Sequence, residues 1–90
     1  MLEMTADAAR LVCDVMNRAD SSAGAGLRIV VDPVHDSLSM GIATAPGPED
    51  AVITRDGARV FLSLSAARRL RQRTLRAELS ADRSLFFLDG

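Results

Sequence analysis

The sequence predicts one α+β domain whose sheet is mostly antiparallel. Three observations predict it: a single long segment of helical periodicity at residues 6–19, a remainder made of short β-branched and apolar runs, and an Asp56-Gly57 pair set between two of those runs. Residues 1–90 read as one domain, since no linker, internal repeat or low-complexity segment interrupts them. A domain of this size buries only about 60–65% of the surface its unfolded chain exposes, so its core is thin.

Each element follows from its residues. Thr5 is placed to cap a helix through ADAARLVCDVMNRA, with Asp7, Arg10, Asp14 and Asn17 on a polar face and Ala8, Val12, Val15, Met16 and Ala19 opposite. The small residues of DSSAGAG end it. LRIVVD has the β-branched density of a strand. LSMGIATA reads as the next strand and stops at PGPED, where Pro46 and Pro48 forbid a continuing ladder. AVITRDGARVFLSL is a hairpin turned at Asp56-Gly57. Ser65 is positioned to cap a short helix over AARRLRQ, and TLRAEL and SLFFLD form a closing hairpin around SADR. Spacing by two places Leu27, Ile29 and Val31 on one strand face and Val60 and Leu62 on another; with Leu75 and Leu79 these are the predicted core.

Composition excludes several function classes. A hydrophobic fraction of 48% with 26% charged residues is that of an ordinary globular chain, neither disordered nor membrane-spanning. The opening MLEMTADAAR lacks the basic and apolar regions of a secretory signal, and one cysteine, Cys13, makes no internal disulfide; both predict a cytoplasmic protein. A net charge of −1 gives no general attraction to nucleic acid or to an anionic membrane. The eleven basic residues are all arginine, and Arg68, Arg69, Arg71, Arg73 and Arg76 cluster within nine positions.

Taken in order, AGLRIVVDP, LSMGIATAPGPEDAVI, DGARVFL and SLFFLD resemble the HesB/IscA-like family of iron–sulfur biogenesis proteins over nearly the whole chain. Gly26-Leu27-Arg28, Met40 and Pro48-Glu49-Asp50 match the family's strand start, loop methionine and turn. The resemblance implies a compact, distorted β-sandwich with an N-terminal helix and a short second helix. It also implies one ligand cysteine in the loop and a Cys-Gly-Cys near the C-terminus, thiolates being the soft donors that clusters require. With Met40 aligned, Ser37 stands at the loop-cysteine position, and the chain reaches Asp89-Gly90 where the second motif is expected. Cys13, on the first helix, matches neither. The family's ligand set is therefore not carried over, and no cofactor is expected.

Two clusters remain as candidate sites. Asp32, His35 and Asp36 in DPVHDSLSM offer an imidazole and two carboxylates to iron or zinc, but three donors within five residues lack the ligand that metal motifs draw from a second element. Ser37 beside His35 has none of the context of a nucleophile–base pair, neither a Gly-x-Ser-x-Gly elbow nor an orienting third group. Arg69, Arg73 and Arg76 share a face if the second helix runs that far, and such a face suits an anion or an acidic partner. There is no Trp or Tyr to stack on bases, and Phe61, Phe86 and Phe87 sit in strand patterns that read as core. The reading is a non-enzymatic accessory or binding protein on a carrier scaffold, with a protein partner. A mononuclear metal protein built on residues 32–37 is the first alternative, and an arginine-mediated anion or nucleic-acid binder the second. The resemblance implies self-association, since related domains commonly associate with themselves, and a thin core has apolar surface to cover, so a homodimer is expected.

Overall fold

A computed structural model describes all 90 residues, in the order β1 (Glu3–Met4), α1 (Ala6–Arg18), β2 (Gly26–Asp32), β3 (Ser37–Ala43), β4 (Ala51–Arg55), β5 (Ala58–Leu62), α2 (Leu64–Arg69), β6 (Thr74–Glu78) and β7 (Leu85–Asp89). The strands form two mixed sheets, one ordered β1-β6-β7 and one ordered β3-β2-β5-β4. Three of the five pairings are antiparallel; β1 with β6 and β2 with β5 are parallel. The predicted α+β class holds, with the strands divided between two layers.

The core lies between the sheets and under α1. Leu27 and Ile29 of β2, Val60 and Leu62 of β5 and Leu75 of β6 are all but fully buried, joined by Ala8, Ala9, Leu11 and Val12 of α1. Val31 and Leu79 pack at its margin, half-buried. Thr5 caps α1, its Oγ1 accepting from the Ala8 amide at 3.1 Å. The apolar face of the helix is turned toward Ala9 and Leu11, and Ala19, predicted on that face, is exposed because it caps the C-terminus beyond the packed turns.

Four expectations are corrected. The cap of α2 is Ser63, not Ser65: Ser63 has extended backbone, its amide still donates to Ile29 O at 3.1 Å, and its Oγ accepts from the Ala66 amide at 3.2 Å. The second helix is shorter than predicted. Fully buried Leu70 ends it and Gln72 turns back at φ 64°, so Arg73 and Arg76 never join a helical face with Arg69. The strand β1 has no counterpart in the sequence reading. Finally, the three phenylalanines do not share one core. Phe86 points inward with Ala77, Phe87 faces out at 44% exposure, and Phe61 is fully buried on the opposite face of its sheet from Val60 and Leu62. There its ring lies against Gly26 with the Arg59 guanidinium 5.5 Å from its centroid.

Candidate functional site

The nine-residue stretch DPVHDSLSM is mostly strand. The β2–β3 ladder runs to the Asp32–Ser37 pair, which leaves Pro33–Asp36 as a tight hairpin tip. Asp32 builds it: Oδ1 accepts from the Val34 amide at 2.9 Å and the His35 amide at 3.4 Å, a side-chain mimic of a backbone turn. Oδ2 lies 2.8 Å from His35 Nδ1, so the ring donates to the carboxylate when that nitrogen carries the proton. These bonds, the His35 ring first and the Val34 amide second, hold the Asp32 carboxyl below the usual aspartate range.

Asp36 closes the tip from the other side. Its backbone is left-handed, at φ 52°, a conformation aspartate tolerates. Arg69, reaching over from α2, donates Nη1 to Asp36 Oδ1 at 2.6 Å and Nη2 to its carbonyl at 3.1 Å. The Arg69 hydrogen bond and charge hold the Asp36 carboxyl low.

Of the three candidate metal ligands, then, Asp32 and His35 come together while Asp36 is turned to an arginine. Nowhere in the chain do three His, Cys, Asp or Glu side chains gather as a metal would require. Ser37 is exposed at the start of β3, and the ring of His35 is engaged by Asp32 rather than by Ser37, so no nucleophile–base pair forms. Cys13 is half-buried and lines a pocket with Ala25, Gly57 and Ala58 at the start of β2. Asp32 is at the other end of that strand, roughly 20 Å away at about 3.3 Å per residue.

The candidate arginines occupy three different places. Arg69 holds Asp36, and Arg76 on β6 holds Asp89 of β7 at 3.2 Å. Arg73, in the turn before β6, lays its stem against Gly90 and buries an Nε that has no hydrogen-bond partner.

The sequence reading missed an ion pair within motifs it had already quoted. Arg28 and Asp50 meet two-fold, Nε to Oδ2 at 2.8 Å and Nη2 to Oδ1 at 2.9 Å, and Asp50 Oδ2 also accepts from the Gly47 amide at 2.8 Å. The Asp50 side chain is only 3% exposed. This pair fastens the 46–50 turn to β2. Both residues were visible, one in Gly-Leu-Arg and the other in Pro-Glu-Asp, but a contact spanning 22 residues leaves no local periodicity to read.

No family model matches the chain, and no curated protein matches its sequence. Its fold, however, is that of several solved structures. Escherichia coli SufA, involved in biosynthesis of iron–sulfur clusters, superposes with a TM-score of 0.78 at 19% identity, over 97% of this chain and 82% of that one. IscA with a [2Fe-2S] cluster gives 0.70 at 21% identity, over 98% and 83%. A protein from Aquifex aeolicus gives 0.75 at 18% identity, over 99% and 90%. The chain thus has the IscA/HesB-like fold. The donors around the tip do not fit a cluster, since a serine hydroxyl is a hard, weakly acidic donor and the thiol lies at the far end of the strand.

Proposed function

We propose that this chain is a non-enzymatic accessory or binding protein on an iron–sulfur carrier fold, one that does not itself hold a cluster. The observation that carries the reading is the tip of the β2–β3 hairpin. By resemblance this is where a carrier presents a thiolate, and here it presents Ser37, with its other donors engaged by Asp32–His35 and Asp36–Arg69 pairs. A tip closed by its own side-chain pairs is suited to displaying a shape to another protein rather than to ligation. The likeness to SufA and IscA supports a place in iron–sulfur metabolism. A metal reading is less well supported, because Asp36 has left the donor set. An anion-binding reading is less well supported because Arg69 and Arg76 already have carboxylate partners.

Anaerobic reconstitution with iron and sulfide followed by desalting is expected to leave no stoichiometric visible absorbance. A stable cluster, including one shared through Cys13 of two copies, would refute the reading. Iron(II) added during NMR is expected to leave the single His35 resonance sharp, and selective broadening would favour the metal alternative. Quantitative isolation from the native host then asks whether a protein partner accompanies the chain.

A further inference from the structure

A pocket opens at the end of β2 away from the hairpin tip, between α1, the 21–25 loop and the start of β5. Its volume is about 230 Å³, below the roughly 300–1,000 Å³ of drug-sized sites, so it suits a small occupant. Small residues make the space. Ala58 continues the inward row of Val60 and Leu62, and Ala25, just before β2, continues that of Leu27 and Ile29. Both rows therefore end in a methyl group where the earlier positions carry branched chains, and the volume so left lies beside Val12 and Met16 of α1.

The charge on its wall is of one sign. Arg59 is the only charged residue among the twelve that line the pocket, and it joins none of the chain's ion pairs. Its Nε is buried and has no hydrogen-bond partner, an uncommon state for a buried donor. The Phe61 ring, its centroid 5.5 Å from the guanidinium, supports the group but offers it no oxygen acceptor. Asn17, Ser21 and Ser22 add side-chain donors to the lining. Free carbonyls at the end of α1 would repel an anion, but those of Val15, Met16 and Asn17 already accept from the amides of Ala19, Ser21 and Asp20.

We propose that this pocket binds a small organic anion, a carboxylate with a short apolar tail, the tail lying against Val12, Met16, Ala25 and Ala58 and the carboxylate taken by Arg59. A guanidinium matches a carboxylate with charge and with paired donors, and the alanine floor holds an alkyl tail without leaving a polar group unpaired. A cation of the same shape would meet Arg59 as a like charge. This goes beyond the function proposed above and does not depend on it.

Hexanoate, hexanol and hexylammonium titrated into the full chain compare one tail with three heads. Hexanoate is expected to give saturable NMR shifts centred on the amides of residues 12–17, 21–25 and 57–59, with hexanol about tenfold weaker and hexylammonium weaker still. Arg59→Gln is expected to weaken hexanoate about tenfold and to leave hexanol unchanged. Because Cys13 lines the pocket, its alkylation by iodoacetamide should be slowed by hexanoate, half-maximally at the concentration that half-saturates the shifts. Ala58→Leu, which fills the space, is expected to abolish the shifts with unchanged circular dichroism. No saturable shift, hexylammonium binding as tightly as hexanoate, an Arg59→Gln variant that binds hexanoate undiminished, or alkylation unslowed at saturation would overturn the proposal. Should either variant fail to fold, the three-ligand comparison and the alkylation rate, both made on the unaltered chain, decide.

Discussion

Asp50 holds the 46–50 turn to the outer face of the larger sheet. Its carboxylate receives two hydrogen bonds from Arg28 and one from the Gly47 amide in a nearly closed setting. Asp50→Ala removes all three and is expected to cost about 2 kcal/mol by urea denaturation, within the usual worth of hydrogen bonds to charged groups. The hairpin tip contrasts with it, because the His35 ring and Ser37 are exposed. His35→Asn with Ser37→Ala is expected to change stability by roughly 1 kcal/mol or less. Replacing Asp32 should register more clearly in the same measurement, since its Oδ1 organises the turn itself. Composition and spacing singled out Asp32, His35 and Asp36 as neighbouring polar residues. They did not reveal that Arg69, 33 residues later, takes Asp36 away from the other two.

At the scale of elements, what was legible depended on whether the signal was local. The Thr5 cap and the Asp56-Gly57 turn, whose residues adopt φ of 51° and 84°, are short-range devices and stand where the sequence puts them. The two-residue strand β1 was not legible: a parallel pairing of Glu3 and Met4 with Thr74 and Leu75 spans the chain and has no periodicity of its own. The cap of α2 was misread because two serines stand two residues apart, and only the ladder bond of the Ser63 amide shows which one is still extended. Ser63→Ala is therefore expected to cost about 1 kcal/mol, while Ser65→Ala stays near neutral, as thermal denaturation of the pair will show. Gly26 offers a second test. A Cβ there would stand 2.7 Å from the Arg59 carbonyl and 2.9 Å from the Phe61 ring, and the carbonyl cannot swing aside. Gly26→Ala is expected to destabilise by about 1–3 kcal/mol in urea, the usual range for overpacking.

For the whole molecule, patterning identified which residues are buried better than it identified what lies across from them. The spacing by two in β2 and β5 placed Leu27, Ile29, Val60 and Leu62 correctly, yet the division into two sheets, with Phe61 buried on the far side of one, is decided by long-range pairing. The same pairing sets the response to acid. Asp32, Asp36 and Asp50 all have carboxyl groups held below the ordinary aspartate value, by His35, Arg69 and Arg28 respectively in the first place. A carboxyl whose pKa is lower folded than unfolded contributes stability that is fully present above the unfolded value, about 3.9, and is lost as pH falls through the folded one. The urea midpoint is therefore expected to stay level between about pH 7 and 5 with respect to these groups and to fall below about pH 4. Asp32 and Asp36 lie at an exposed tip, where water and salt screen their pairs, whereas the Asp50 side chain is almost wholly covered. Asp50→Asn should accordingly flatten the acid limb more than Asp36→Asn, and the difference should persist in high salt. An equal effect from the two variants, or a difference abolished by salt, would mean that the tip rather than the Arg28–Asp50 pair governs acid unfolding.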